Sequence, residues 1–401
     1  MILFQFAMRL IAPFHQKAKL MVKGQKETFN ILKSKIAAGE KYVWFHCASL
    51  GEFEQARPLI ETLKKDDPQY KILLSFFSPS GYEVRKDYPL ADVVCYLPFD
   101  TKRNVRRFLD LAKPTYALFI KYEFWYNFIH ETYLRHIPLY LVSAIFRPEQ
   151  PFFRKRAGRY GKMLRFYTHI FVQDENSEKL LATLGLSNVT VAGDTRLDRV
   201  IEIQHQAKQL PVVEKFIENA GIVLVAGSSW PPDEEIFTAY FNAHPELKLI
   251  IAPHEIDEAH LSEIEAKLKR PHIRYSQSSA ENAQEADCLI VDSFGLLSSI
   301  YRYGNIAYIG GGFGVGIHNL PEAAVYAIPV IFGPNYHKFR EAHELIKTGG
   351  GFTIRSKQDF WEIMNRFSNT PSALSEAGKR AAFFIENNAG ATKKIFEEIQ
   401  F

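Results

Sequence analysis

The sequence predicts an α/β protein with two mostly parallel β-sheets, each carrying helices on both faces. Short apolar runs rich in β-branched and aromatic residues alternate with amphipathic stretches, which is typical of strands joined by helices. The chain has 401 residues, enough for two domains at roughly 100–200 residues each. The alternation also restarts after an apparent linker near 201–220. Two Rossmann-like domains with a cleft between them are therefore expected.

The composition excludes several other classes of protein. Hydrophobic residues make up 47% of the chain and charged residues 23%, which argues against collagen-like, low-complexity and disordered chains. The three cysteines show no CxxC spacing, so neither a zinc site nor a disulfide framework is expected, and a reducing compartment is favoured.

The N-terminal segment, residues 1–40, is basic. Its uncharged opening run is too short to span a bilayer, and no signal-peptidase site follows it. Arg9 and the lysines after it suit an amphipathic helix lying on an anionic membrane surface. A helix packed on the body of the protein, with solvated lysines, explains the pattern equally well. No nucleic-acid partner is expected.

The first α/β domain is predicted over residues 41–203. Its strands are expected at 43–47, 72–77, 93–97, 116–120, 139–143, 170–173 and 189–192. Its helices are expected at 53–65, 101–111, 124–135, 151–164 and 174–184.

The second domain is predicted over residues 204–401. Its strands are expected at 222–226, 248–252, 289–291, 306–310 and 330–332. Beyond residue 355 only helical patterns remain, at 356–368, 373–388 and 390–399, and these helices are expected to pack back on the first domain.

Three loops of the first domain carry candidate catalytic groups, because ligands of open α/β sheets bind at the carboxyl ends of strands. Glu52 follows the first strand and could accept a proton from an attacking hydroxyl, although Ser49 and Glu52 also have capping-box spacing. Glu123 follows the fourth strand and would face the same cleft, or it is another acid at a helix start. Arg196 could offset charge on a phosphate leaving group or form a surface ion pair with Asp194 or Asp198.

A glycine-rich loop marks the second domain. Residues 310–316 contain five glycines between a strand and a helix start, so backbone N–H groups could approach an anion closely. Asn319 and Glu322 are three residues apart and would share a face of the first helical turn, where Glu322 could bind sugar hydroxyls. A nucleotide seat explains this loop better than a flexible surface loop does.

A cationic stretch in the predicted helix 151–164 points to a membrane-bound or phosphorylated partner, although a solvated helix face is the usual alternative. The basic residues assigned to acceptor or membrane contact are Arg154, Lys155, Arg156 and Arg159.

Taken in order, these motifs resemble the bacterial 3-deoxy-D-manno-octulosonic acid (Kdo) transferases of lipopolysaccharide assembly, from about residue 10 to the C-terminus. The matching segments are SLGE at 49–52, EFWYN at 123–127, GDTRLD at 193–198, AGSS at 226–229, APH at 252–254, DSFG at 292–295, GG at 311–312, HNLPE at 318–322 and FGP at 332–334. The resemblance implies a GT-B glycosyltransferase that needs no metal ion or cofactor. It also implies a peripheral or monotopic enzyme at the cytoplasmic face of the inner membrane, moving Kdo from the co-substrate CMP-Kdo to a lipid A precursor.

The resemblance also implies roles for individual residues. Glu52 matches the general base of the family, and Glu123 and Arg196 match its transition-state stabilisers, where lysine is usual in place of Arg196. The implied donor-binding residues are Ser228, Ser229, Pro253, His254, Phe294, Gly295, Leu296, Gly311, Gly312, His318, Asn319, Leu320, Pro321 and Glu322. Three departures affect the donor contacts: His254 replaces an arginine, Leu296 replaces an acid, and Leu320 with Pro321 inverts the usual order.

Two alternatives remain at this stage. A GT-B enzyme using a UDP-sugar would share the fold. A catalytically inactive, membrane-associated sugar-nucleotide-binding protein would not need a carboxylate at position 52.

Overall fold

The computed structural model describes residues 7–8, 10–154, 158–314 and 316–399. They form two compact units, Met1–Arg199 with Ala389–Phe401, and Val200–Asn388. The division falls inside the helix Thr195–His205, a few residues before the predicted boundary at 203. The stretch predicted as a linker is largely helical, because Thr195–His205 is followed by Pro211–Ile217.

The first unit contains a seven-stranded sheet in which every neighbouring pair is parallel. The strand order is β3-β2-β1-β4-β5-β6-β7. The strands are β1 (Tyr42–Cys47), β2 (Lys71–Phe76), β3 (Val93–Tyr96), β4 (Tyr116–Ile120), β5 (Leu139–Ala144), β6 (His169–Val172) and β7 (Val189–Val191). All seven were predicted, with ends that differ by no more than two residues.

The helices of the first unit connect these strands. They are Gln16–Lys35, Leu50–Asp66, Pro79–Arg85, Lys102–Ala112, Tyr126–Leu134, Arg159–Met163, Glu175–Ala182 and Ala391–Ile399, with 3₁₀ turns at Pro151–Phe153 and Leu164–Phe166. The single helix predicted at 151–164 is wrong. Gly158 has a φ of 55° immediately before Arg159, and an α-helix cannot continue through that left-handed conformation.

Both faces of the first sheet are buried, as a parallel sheet requires. Along β1, Trp44 packs into one apolar cluster while Val43 and Phe45 pack into the other. The last helix adds Ile395 and Ile399 to the cluster that contains Val43. Lys357–Asn369 and Pro371–Asn388 belong instead to the second unit, so only one of the three predicted C-terminal helices lies in the first unit.

The second unit contains another all-parallel, seven-stranded sheet, with the order β10-β11-β9-β8-β12-β13-β14. The strands are β8 (Ile222–Ser229), β9 (Leu247–Pro253), β10 (His272–Arg274), β11 (Cys288–Ile290), β12 (Ile306–Ile309), β13 (Val330–Phe332) and β14 (Gly351–Thr353). The sequence analysis missed β10 and β14. Each is a three-residue edge strand, too short to show an apolar run.

The second unit carries helices at Pro211–Ile217, Pro231–Ala243, Glu258–Lys267, Ala280–Ala283, Leu297–Ile300, Pro321–Ala324, Arg340–Thr348, Lys357–Asn369 and Pro371–Asn388, and 3₁₀ turns at Tyr275–Gln277 and Tyr301–Tyr303. The observed sheets and helices confirm the predicted α/β class.

No helix in the described part of the chain is long and apolar enough to cross a membrane. Three apolar side chains before the helix Gln16–Lys35 are nevertheless exposed: Leu10, Ile11 and Phe14, the last of them 92% exposed.

Candidate active site

Each sheet has a point where its strand order reverses, and some of the predicted site residues follow the strands at those points. In the first sheet the reversal lies between β1 and β4, and Glu52 and Glu123 come after the ends of these strands. In the second sheet it lies between β8 and β12. Open α/β sheets bind ligands outside the carboxyl ends of the strands at such points.

The Glu52 carboxylate is held in place at the start of the helix Leu50–Asp66. Its Oε2 accepts hydrogen bonds from the Ser49 backbone N–H at 3.1 Å and from the Ser49 hydroxyl at 2.5 Å. No hydrogen bond from another described residue reaches Oε1, and the side chain is half-buried. The capping interaction therefore orients the carboxylate and leaves one oxygen able to accept a proton.

Glu123 is buried and held by two aromatic side chains. Its Oε2 lies 2.9 Å from His46 Nε2 and accepts a hydrogen bond from Trp125 Nε1 at 2.6 Å. His46 is fully buried, and its Nδ1 lies 2.9 Å from the Ser75 hydroxyl oxygen. Trp125 Nε1 also lies 3.1 Å from His46 Nε2. The network fixes the position of Glu123 beside the end of β1.

Arg196 forms the ion pair with Asp194 that was one of its two predicted roles. The guanidinium donates from Nε at 2.9 Å and from a terminal nitrogen at 2.7 Å to Asp194 Oδ2. Burial alone would raise the pKa of Asp194, but Arg196 and a hydrogen bond from Gln55 hold it below its ordinary value. Asp198 instead accepts the backbone N–H groups of Gly390 and Thr392.

Two neighbouring groups show that these charged side chains act on a common region. Burial raises the pKa of Cys47 well above its ordinary value, and the carboxylates of Glu52 and Glu123 raise it further. Burial also raises the pKa of Tyr122. Glu52 raises this pKa further, whereas Arg196 lowers it. The three predicted catalytic groups all follow carboxyl ends of strands in the first sheet: Glu52 follows β1, Glu123 follows β4 and Arg196 follows β7.

In the second unit, the glycine-rich loop after β12 is closely packed against other backbone. A Cβ on Gly312 would lie 2.6 Å from the Cα of Gly333 in the loop after β13. Gly311 has a φ of 88°, and its N–H donates to Asp233 at 2.9 Å. The N–H groups of Gly314 and Gly316 both donate to the Gly311 carbonyl. Close packing therefore accounts for several glycines that the sequence assigned to anion binding.

Three aromatic rings stack beside this loop. The His254 ring lies 4.7 Å from the Trp230 ring and 4.5 Å from the His318 ring, measured between centroids. Burial lowers the pKa of His318, and the adjacent His254 lowers it further, which favours the neutral ring. Its Nε2 accordingly accepts a hydrogen bond from Trp230 Nε1 at 3.4 Å. The rings follow β8, β9 and β12; His254 is exposed, and Trp230 and His318 are half-buried.

Asp233 ties the loop after β8 to the glycine-rich loop. The carboxylate is fully buried and accepts hydrogen bonds from the N–H groups of Trp230 and Gly311 and from the Tyr308 hydroxyl. Burial raises the pKa of Asp233, and these donors oppose the shift. Asp233 thereby holds the glycine-rich loop against the end of β8.

Other predicted donor-binding residues differ in exposure. Ser229 is fully buried and donates to Glu234, whereas Ser228 is half-buried with a φ of 52°. Leu320 has no exposed surface, and Pro253 and Pro321 are also buried. These buried side chains support the loops rather than present polar groups to a ligand.

The remaining predicted donor residues are accessible. Phe294 is 80% exposed, Gly295 has open space around it, and Leu296 is half-buried. Asn319 Nδ2 donates to Glu322 Oε1 at 2.6 Å, so the two lie on one face as predicted. Glu322 lies in the helix Pro321–Ala324, which is only four residues long, and Asn319 precedes that helix.

The predicted cationic stretch is described only in part. Arg154 is exposed and follows the 3₁₀ turn Pro151–Phe153, and Arg159 begins a short helix. Lys155 and Arg156 lie outside the described residues. Within the described ranges, no group of three or more His, Cys, Asp or Glu side chains could hold a metal ion.

Sequence reasoning missed His46, Trp125, Trp230 and Asp233. Trp125 lies in a motif that was recognised for Glu123, and Trp230 directly follows the recognised AGSS segment. His46 is one residue before the end of β1, where a polar residue inside an apolar strand is a usable signal. Asp233 carries the helix-start signal of an acid three residues after the cap.

The fold places the chain in a structural class shared by many sugar-nucleotide enzymes. A UDP-GlcNAc 2-epimerase from Neisseria meningitidis, solved with UDP-GlcNAc, has a TM-score of 0.62 at 14% identity over 89% of this chain and 98% of its own. MurG from Acinetobacter baumannii has a TM-score of 0.58 at 11% identity over 90% of this chain and 99% of its own. At these identities the likeness shows the fold alone, which is the GT-B fold of two Rossmann-like domains.

Sequence relatives identify the family. Residues 23–199 match the family model described as 3-deoxy-D-manno-octulosonic-acid transferase (kdotransferase). The enzyme of that name from Aquifex aeolicus (strain VF5) is 32% identical over 326 residues, covering 79% of this chain and 83% of the relative. The one from Haemophilus influenzae is 26% identical over 373 residues, covering 88% and 86%. The chain belongs to the Kdo transferase family and is a glycosyltransferase.

Proposed function

We propose that this protein transfers Kdo from CMP-Kdo to a lipid A precursor, lipid IVA, with inversion at the anomeric carbon. Family membership supports the donor sugar, since the relatives are named as Kdo transferases. The single observation that carries the mechanism is the Glu52 carboxylate, oriented by Ser49 at the carboxyl edge of the first sheet.

In the proposed step, an acceptor hydroxyl attacks the anomeric carbon of Kdo and gives its proton to Glu52. The bond between that carbon and the phosphate oxygen breaks, and CMP leaves with the electron pair. Glu52 suits the role because its Oε2 is already bonded to Ser49, which limits rotation of the carboxylate. Oε1 then accepts the proton.

Glu123 and Arg196 are proposed to stabilise the charge that develops in the transition state. Glu123 is held by His46 and Trp125, so it would not need to reorient as charge develops. The Arg196 side chain is 30% exposed although it pairs with Asp194.

The second unit is proposed to hold the donor. The stacked rings of Trp230, His254 and His318 are proposed to stack against the planar base of the donor. Glu322, at the start of the helix Pro321–Ala324, is proposed to accept hydrogen bonds from ribose hydroxyls.

We further propose that the enzyme works at the cytoplasmic face of the inner membrane, as a peripheral or monotopic protein. The exposed Leu10, Ile11 and Phe14 precede the lysine-rich helix Gln16–Lys35, a combination suited to an anionic surface. No cofactor or metal ion is included in the proposal, since the step uses only carboxylates and a guanidinium. Transfer should therefore persist in the presence of a chelator.

The test is mass spectrometry of lipid IVA incubated with CMP-Kdo and purified enzyme. Glu52→Gln should lower the rate on the order of 10²–10⁴-fold while CMP binding is retained, because the amide keeps the size but cannot take the proton. Glu54→Gln is the matched control, since Glu54 lies on the same helix and pairs with Arg85. Equal turnover by the two variants would remove Glu52 from the mechanism. Absence of Kdo addition by the wild-type enzyme would refute the proposed reaction.

A further inference from the structure

A cavity of about 220 Å³ lies in the first unit, between the helices Gln16–Lys35 and Lys102–Ala112. Its volume is more than ten times the roughly 10–15 Å³ that a single water molecule needs. The walls are formed by Val22, Gln25, Lys26, Phe29, Pro98, Phe99, Asn104 and Arg107. None of the groups assigned to the transfer reaction lines it.

The charge of the cavity is entirely positive. Lys26 and Arg107 line it from opposite helices, and neither forms an ion pair with any described residue. The Arg107 guanidinium lies 4.2 Å from the centre of the Phe29 ring, which braces it at the cavity wall. Because no acidic side chain lines this space, an anion entering it would meet two unpaired cations.

A buried amide in the same wall lacks a partner. Gln25 is 6% exposed, and its Oε1 accepts a hydrogen bond from the Phe99 N–H at 3.2 Å. Its Nε2 is buried and has no hydrogen-bond partner among the described residues. Because Nε2 has no accessible surface, the amide helps to close the wall, and contact with a ligand falls to Lys26 and Arg107.

The neighbouring cavity provides an internal comparison. It measures about 140 Å³ on the other side of the helix Lys102–Ala112 and is lined by Lys102 and Arg106, but also by Glu131. Arg106 pairs with Glu131 at 3.3 Å, so its charge is already compensated. Of these two cavities, only the larger is lined by cations without an acidic side chain.

We propose that the larger cavity binds a phosphate group carried as a phosphomonoester. Its oxygens pair with both ammonium and guanidinium groups, which matches Lys26 and Arg107. The ester could be a soluble phosphate compound or a lipid headgroup. The site does not depend on the proposed transfer reaction, because it is detected by binding rather than by turnover.

The test compares two pairs of charge-matched variants of the full chain. Lys26→Gln and Arg107→Gln remove cavity cations, whereas Lys23→Gln and Arg103→Gln remove exposed cations of the same helices that do not line the cavity. All four positions are exposed, so the variants should fold and melt like the wild-type protein.

The probes are inorganic phosphate, titrated by calorimetry, and phosphatidylcholine vesicles doped with phosphatidic acid, assayed by sedimentation. Vesicles with phosphatidylglycerol at equal surface charge control for general attraction to anions. Each cavity variant should weaken binding about tenfold, and each control by no more than about twofold.

If the cavity variants lose binding of inorganic phosphate, the phosphomonoester is a soluble compound. If they lose only the binding of phosphatidic acid vesicles, it is a lipid headgroup. Either result supports the site. The proposal would be overturned if Lys26→Gln had the same effect as Lys23→Gln and Arg107→Gln the same effect as Arg103→Gln. It would also be overturned if the wild-type protein bound neither probe. Normal Kdo transfer in that case would leave the proposed function standing.

Discussion

Substitution of Gly312 by alanine should destabilise the second unit, because the loops after β12 and β13 approach too closely for a side chain. The new Cβ would lie 2.6 Å from both the N and the Cα of Gly333, and 2.9 Å from its carbonyl carbon. All three are backbone atoms, so no side chain can rotate away. The loops must separate by nearly 1 Å to restore ordinary contact.

Overpacking of this kind typically costs about 1–3 kcal/mol. In a unit of this size, Val200–Asn388, a loss of 1 kcal/mol in the free energy of unfolding lowers the Tm by roughly 2–4 °C. Gly312→Ala should therefore lower the Tm by roughly 2–12 °C. Differential scanning calorimetry of the full chain measures the shift, and the first unit provides an internal reference if the two units melt separately.

Gly314→Ala is the matched control in the same loop. Its Cβ would lie 3.7 Å from the nearest atom, the Gly311 carbonyl oxygen, which is ordinary van der Waals contact. This variant should keep or slightly raise the Tm, because alanine reduces the freedom of the unfolded chain. A wild-type Tm for Gly312→Ala, or an equal loss for both variants, would refute the argument from close packing. Weaker CMP binding by Gly314→Ala at unchanged Tm would assign that glycine to the ligand instead.

Three further outcomes are expected. Glu322→Ala should raise the KM for CMP-Kdo about 10- to 100-fold and reduce the thermal stabilisation by CMP, with little change in the KM for the acceptor. If CMP affinity were unchanged and acceptor binding impaired, the donor and acceptor units would have been assigned the wrong way round. Deleting residues 1–14 should weaken sedimentation with anionic vesicles more than activity on detergent-solubilised acceptor, and full retention on vesicles would place the anchor elsewhere. Asp194→Asn should cost roughly 1–3 kcal/mol at pH 7, since the pKa of Asp194 is held low by Arg196. That loss should shrink as the pH falls below about 4, where the unfolded wild-type chain gains the proton first, and should vanish once the folded carboxylate is protonated at still lower pH. Urea unfolding at about pH 7 and below about pH 4 measures it.

The sequence by itself determined the α/β architecture and the strands that carry the site. Apolar runs and amphipathic stretches are local patterns, and parallel strands buried on both faces produce them directly. Glu52 and Glu123 could be found for the same reason, because ligands of parallel sheets bind where strands end. The short edge strands β10 and β14 and the break before Arg159 escaped prediction, since three-residue strands and a single φ of 55° leave little periodic signal.

Only the tertiary structure decided which partners these residues have. The ring stack joins Trp230, His254 and His318 from the ends of three strands, and the closeness of Gly312 to Gly333 joins two loops. Each depends on strand order and register, which residues near one another in sequence do not specify. The unpaired Nε2 of Gln25 likewise emerges only when Gln16–Lys35 packs beside the loop at Phe99. Hydrogen bonding and side-chain periodicity act over a few residues, whereas these contacts form only after the sheets have assembled.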